Sequence, residues 1–553
     1  MSVTPNVGTA ALQRHNRSFL YMSTIAIGCL AAGALPAAPN KDWPSYNGTL
    51  TSDRYSSLSS IDTGNVGQLA VRCTYDTGQT TSFQTGLIEV AGLIYGTTEQ
   101  DTFAIDADTC TERWRTHEDF ASGFLRVNRG VAYMDGRIFR GTKDGRVLAY
   151  NAQTGKSLWQ TTIADPDKGE SVPAAPIAWK GLVFVGNAGS DSKGVKGRMY
   201  ALDGATGRIV WEFYLVPRQA DDVARGPQAA DDDAPFALTT WNNPPGFPIT
   251  GGATWTSYTL DSDQGLLYVP GGNPGPDFVG DTRQGDNLHT DSVVVLDAKT
   301  GKYVRHFQLV PHDLHDWDVS TAPAIIDTRG GRKVMAIAPK DGHLYGFDIN
   351  SSAPLYRSDV TTIFNADAPL TPDGTRFCPG TQGGAEWNGV AYDPAANVLF
   401  TGETDWCATV HTTSIDALAS VPLGQTWSGD KDGFGQRDPT SSGWFTASDA
   451  DTGEQKWQFH APRPLVGGVT PTAGGVVFFG DIGGTFYAYD AERGEQLLAL
   501  QLGGAVGGGV ITYDTGHGQK VAVADGMTSP VWPGTPQATA HVVVLGLPDA
   551  KGK

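Results

Sequence analysis

Basic residues are scarce in this sequence: 40 lysines and arginines stand against 59 aspartates and glutamates, a net charge of −19. That balance excludes a nucleic-acid footprint, which needs a basic surface. It suits a basic protein partner instead. Only five cysteines occur, and none forms a CxxC or CxxCH pair. Those absences exclude a CxxC zinc site and a covalently attached c-type haem. After residue 38 no apolar run is long enough to cross a bilayer, so no integral membrane domain is expected in the mature chain.

The one long apolar run is FLYMSTIAIGCLAAGALPAA (19–38), preceded by Arg14 and Arg17 and ending in small residues. It reads as a signal peptide over 1–38, cleaved near Ala37 or Ala38, with a retained anchor as the alternative. Export to the periplasm follows, with residues 39–553 as one mature domain. Removing Cys29 leaves Cys73, Cys110, Cys378 and Cys407. An even count in an exported chain implies two disulfides, and proximity favours Cys73–Cys110 and Cys378–Cys407 among the three pairings.

Glycine (70) and proline (33) are abundant, as short strands joined by tight turns require. A turn recurs: AIDADTCTERW (104–114), AYNAQTGKSLW (149–159), ALDGATGRIVW (201–211), VLDAKTGKYVR (295–305), ASDADTGEQKW (447–457) and AYDAERGEQLL (488–498). GFDINSSAPLY (346–356) is a degenerate copy. Each holds an alternating apolar strand, Asp or Asn to start the turn, Gly for a positive φ, then an apolar or aromatic entry to the next strand. Repeated roughly every 40–50 residues, the unit is a four-stranded antiparallel sheet, which predicts an all-β propeller. Seven turns plus the space left over predict eight blades. The tryptophans closing the repeats (Trp114, Trp159, Trp211, Trp457) are expected between blades.

The double-length gaps between turns hold the unusual residues, among them PHDLHDWD (311–318). In an extended segment Asp316 and Asp318 project the same way, and carboxylates that close call for a hard cation. His312 and His315 match no zinc spacing.

Several stretches carry a specific resemblance: DWPSYNGTLTSDRYSSLSSIDTGNVGQL (42–69), VNRGVAYMDGRIFRGTKDGRVLAY (127–150), GGNPGPDF (271–278) with GDN (285–287), PHDLHDWD (311–318), APKDGHLYGFD (338–348), CPGTQGGAEWNGVAYDP (378–394) and GGVTPTAGGVVFFG (467–480). In this order they resemble the quinoprotein alcohol dehydrogenases, eight-bladed propellers that bind pyrroloquinoline quinone (PQQ) and a metal ion. The resemblance covers nearly the whole mature chain. It implies that Trp255 stacks on PQQ, and that Arg129 and Lys340 meet its carboxylates and quinone oxygens. It implies Asn273 as a metal ligand and Asp316 as both metal neighbour and general base. Asp318 matches an extra carboxylate of lanthanide-using members. Calcium is the default ion and a lanthanide the alternative.

The chain also departs from the family pattern. The expected metal-binding glutamate falls in GNAGSDSKGVKG (186–197), where Asp191 and Ser192 stand. Pro173 replaces a cofactor-contacting threonine, while Ser171 is retained. Gln84 replaces a frequent glutamate, Leu465 a tryptophan, and Glu386 an asparagine beside the cofactor. The adjacent-cysteine pair of many members is absent. These changes imply an altered substrate preference or weaker cofactor binding.

The expected function is oxidation of a primary or secondary alcohol, polyol or sugar by hydride transfer to metal-bound PQQ. Electrons would pass to an external acceptor such as cytochrome c. A non-catalytic propeller scaffold that binds proteins and a dehydrogenase of polymeric alcohols are the alternatives.

Overall fold

The computed structural model describes Met1 and residues 41–548. The predicted signal peptide lies outside the described residues, Met1 apart. Eight four-stranded antiparallel sheets follow one another along the chain. Blades 1 to 7 are built from 88–117, 132–162, 177–214, 259–308, 324–359, 391–461 and 470–501. Blade 8 combines 510–546 with the strand Ala70–Asp76. Middle strands such as Ser292–Asp297 are buried on both faces, because each sheet is sandwiched between its neighbours. Outer strands such as Glu112–His117 are mostly exposed, with Trp114 their buried residue.

The outer turns repeat in detail. In blade 3, Asp203 Oδ1 accepts from the backbone N–H groups of Ala205 and Thr206 (3.1 and 2.9 Å). Gly207 closes the turn at φ 76°, a left-handed conformation that favours glycine. A bulge after each turn aims one large side chain at the next blade. Trp114, Trp159, Trp211 and Trp457 each donate Nε1–H to a backbone carbonyl of the following blade: Ala152, Gly204, Ala298 and Ala491. Tyr356 does the same to Ala450 in the degenerate copy. Burying such a ring contributes on the order of 3 kcal/mol per seam.

Blade 8 has no outer turn of this kind, because its outermost strand comes from the other end of the domain. Ala70–Asp76 pairs with His541–Gly546, with a bulge between Val71 and Cys73. Cys73 thus holds the place that tryptophan holds elsewhere. Cys110, at φ 59°, holds the glycine place in the turn of blade 1. The two form a disulfide, so the seam that closes the ring is covalent. The second disulfide, Cys378–Cys407, ties the connection between blades 5 and 6 to the insert within blade 6. The two segments together add a three-stranded sheet, Thr375–Phe377 from the connection and Ala408–Val410 and Gln436–Arg437 from the insert.

Candidate active site

In an antiparallel blade the first strand begins, and the second strand ends, at the same end of the sheet. Every candidate site residue lies on one of those two connections. Gln84, Arg129, Ser171, Trp255, Asp316, Asp318 and Glu386 precede first strands. Asp191, Asn273 and Lys340 follow second strands. The topology therefore gathers them on one face of the propeller, in line with long inserts building a site on loops.

At the centre, Lys340 Nζ lies 3.0 Å from Asp316 Oδ2 and 3.1 Å from Asp318 Oδ2, all three side chains buried. Asp318 Oδ1 accepts from Trp255 Nε1 (3.3 Å) and from the Asn273 backbone N–H (3.2 Å). Asp316 takes φ 63°, an unusual conformation for a residue with a side chain. Asp191, Asp277 and Asp316 bring one carboxylate oxygen each to within 4.8 Å of one another. Asp191 is the outermost of the three, and Asp277 and Asp316 are buried. Ser192 does not join them, since its Oγ faces Gly169.

Asp277 is the residue that sequence reasoning missed. It accepts from Asn273 Nδ2 at Oδ1 (3.0 Å), while its Oδ2 and the Asn273 Oδ1 have no partner among the described residues. The signal was a carboxylate four residues beyond Asn273 in GGNPGPDF, hidden behind two prolines.

These acids are poorly neutralised. Burial pushes Asp316 well above the ordinary carboxylate range, Lys340 pulls it back, and Asp318, Asp277 and Asp191 push it further up. Burial and the Asp191 charge push Asp277 well above that range. Asp191 rises to about 6 through burial and the Asp318 charge. Burial opposes the charge on Lys340, but Asp316, Asp318 and Glu386 outweigh it and hold the amine well above its ordinary value.

Beside this group, the Arg129 guanidinium lies 4.6 Å from the Trp255 ring centroid and 5.1 Å from that of Trp387. Its Nη1 donates to the Trp255 carbonyl (3.0 Å), and its Nε is buried without a partner. Glu386 is pushed up to about 7 by burial, and its Oε1 is partnerless. Gln84 has an unpartnered Oε1, while its Nε2 meets Met527 Sδ at 3.7 Å. Ser171 is placed by two backbone hydrogen bonds with Ala188.

The rest of PHDLHDWD supports the loop. Asp313 accepts from the His315 and Trp317 backbone N–H groups (3.0 Å each), and its carbonyl accepts from Arg283 (2.5 Å). His315 stacks on Trp317 at 4.1 Å, and Trp317 donates Nε1–H to Pro379 beside the second disulfide. His312 bonds the Gly285 carbonyl (2.7 Å).

The family model described as "Glucose/ethanol/alcohol dehydrogenase, beta-propeller domain", the PQQ family, matches residues 43–363. The chain belongs to this PQQ dehydrogenase family. A second model, "Outer membrane protein assembly factor BamB", matches residues 441–531. Among relatives, the chain is 30% identical to a quinohemoprotein alcohol dehydrogenase of Comamonas testosteroni, over 89% of this chain and 73% of that one. It is 28% identical to a lanthanide-dependent methanol dehydrogenase of Methylacidiphilum fumariolicum, over 88% and 84%. The solved Comamonas testosteroni enzyme superposes with a TM-score of 0.82 at 26% identity, covering 93% of this chain and 82% of the other. A europium-containing methanol dehydrogenase gives 0.79 at 25% identity, covering 92% and 98%. These likenesses favour the dehydrogenase over the scaffold.

The residues of this PQQ dehydrogenase fit both groups the family binds. Unpartnered buried atoms on Asn273, Asp277, Glu386, Gln84 and Arg129 are costly unless a ligand completes them. Three clustered carboxylates form an all-oxygen donor set, which suits a hard ion.

Proposed function

We propose that this chain is an exported, periplasmic dehydrogenase that oxidises a small alcohol with metal-bound PQQ and passes electrons to an external acceptor such as cytochrome c. The observation that carries the reading is the clustered acid group of Asp191, Asp277 and Asp316, set against Lys340 beside the Arg129–Trp255 platform. When bound, PQQ accepts the hydride and the metal ion acts as a Lewis acid on its carbonyl.

The protein's own residues do the rest. Asp191, Asp277, Asn273 and Asp316 would hold the ion, and Asp318, held by Lys340, would add a further carboxylate. Four carboxylates face Lys340, with Arg283 acting on Asp277 and Arg129 on Asp318, which leaves a net negative site that favours a trivalent lanthanide over calcium. Trp255 offers its ring as the stacking surface, with Arg129 as counter-ion to the cofactor's carboxylates. Ser171, Gln84 and Glu386 line the cofactor's edge. Asp316 takes the substrate hydroxyl proton at Oδ1, the oxygen that Lys340 leaves free.

The test is reconstitution of the purified protein with PQQ and either calcium or lanthanum, followed by dye reduction over a panel of alcohols. Activity with lanthanum exceeding that with calcium is expected. Failure to bind PQQ with either ion overturns the reading.

A further inference from the structure

A second cluster lies outside the catalytic group. Asp233, at the start of the short helix Ala234–Thr239, places its Oδ2 at 2.7 Å from His289 Nε2. His306, on the outer strand Tyr303–Gln308 of blade 4, has Nδ1 at 3.7 Å from the same oxygen. The two imidazole centroids are 4.5 Å apart. One ligating atom from each of the three residues falls within 4.8 Å of the others. The side chains are 22%, 2% and 23% exposed for Asp233, His289 and His306, so the cluster is enclosed yet open on one side.

These donors differ in kind from those of the catalytic group. Two imidazoles and one carboxylate make a set that transition ions prefer, whereas calcium and lanthanides take oxygen. A tetrahedral zinc ion with bonds of about 2.0–2.1 Å sets its ligand atoms roughly 3.4 Å apart, so the side chains need move only slightly. Tyr303 OH meets His306 Nδ1 at 2.8 Å and orients that ring. Asp231 caps the Asp233 and Ala234 backbone N–H groups through Oδ1 and fixes the carboxylate-bearing loop.

We infer that Asp233, His289 and His306 form a second metal site, for a zinc-class divalent ion, that fastens the 217–250 insert to blade 4. The insert already runs along this edge: Tyr303 donates its backbone N–H to Ala230, and Ala229 donates to Glu212 of blade 3. His289 sits two residues before Asp291, whose N–H bonds Gly272, the neighbour of Asn273. The ion would therefore steady the loop that leads into the catalytic group. The other histidine cluster, His411 with Asp430 and Asp432, is a weaker candidate because Asp430 already accepts from the His411, Asp432 and Gly435 backbone N–H groups.

The test uses the purified full chain, stripped with a chelator and then given excess calcium to fill the oxygen site. Zinc chloride is titrated calorimetrically into wild type, His306→Ala and Asp233→Asn. Wild type is expected to take up one zinc that raises its melting temperature. Either variant is expected to bind that equivalent at least roughly a hundredfold more weakly, with far-UV circular dichroism and calcium uptake unchanged. Cobalt(II) added to wild type alone should give the intense visible bands of a tetrahedral ion, which does not depend on the variants folding. Absence of zinc uptake by wild type, an octahedral cobalt spectrum, or wild-type zinc affinity in both folded variants overturns the site.

Discussion

Aspartate has two fates in this molecule. At the rim, Asp203 accepts hydrogen bonds from Ala205 and from the backbone and hydroxyl of Thr206, and those bonds hold it below the ordinary carboxylate range. On the catalytic face, Asp277 keeps one oxygen unpartnered and is pushed well above that range by burial and its acidic neighbours. Rim aspartates complete the backbone of the turn that contains them. Central aspartates are left incomplete in a low-dielectric site, where an ion has most to gain. At the rim the satisfied Asp203 maintains the turn, whereas the unsatisfied Asp277 faces the clustered carboxylates.

The largest expected break in this contrast is at Asp316, the proposed base. Asp316→Asn should lower kcat by about 100- to 10,000-fold in dye-linked assays of the reconstituted enzyme. Asp203→Asn, at the rim, should leave kcat unchanged. Next comes the rim packing itself. Trp211→Ala opens a hole between blades 3 and 4 and should cost about 3–5 kcal/mol in urea unfolding, with KM unchanged.

Asp277→Asn should separate metal binding from stability. Metal titration is expected to show roughly tenfold weaker affinity, one of several carboxylates having been lost. The metal-free protein, relieved of a buried acid, should melt higher at pH 8 than wild type.

The smallest effect lies at Glu89, a buried acid away from the ligands. Its Oε1 accepts from Gly92 N (2.7 Å), its Oε2 has no partner, and burial raises it from 4.5 to about 7. The folded state then binds the proton more tightly than the unfolded state. Stability from this group is full below about pH 4.5 and is lost as pH rises toward 7. Glu89→Gln should leave the melting temperature at pH 4 nearly unchanged and stabilise the protein at pH 8 by on the order of 1–2 kcal/mol.

Much of the blade architecture was legible because it is local. Asp, Gly and a following aromatic lie within about ten residues of one another, and each turn makes its own hydrogen bonds. The eighth blade left no such mark, since its outer strand lies more than 460 residues away from its partner. The site was legible in part. PHDLHDWD singled out Asp316 and Asp318, and its third aspartate, Asp313, holds the loop. Asp277 went unnoticed because nothing in its own segment distinguishes it from a turn residue.

By itself, then, the sequence determined what short-range chemistry can determine: the repeated turns, the bulged tryptophans, and a motif series specific enough to name a family. Only the tertiary structure decided how the ring closes through Cys73 and Cys110. It also chose Asp191 over Ser192 and added Asp277 to the acids around Asp316. The reason is distance along the chain. Those three acids come from connections in blades 3 and 4 and from the entry to blade 5, and only the closed propeller brings their charges together in one buried place.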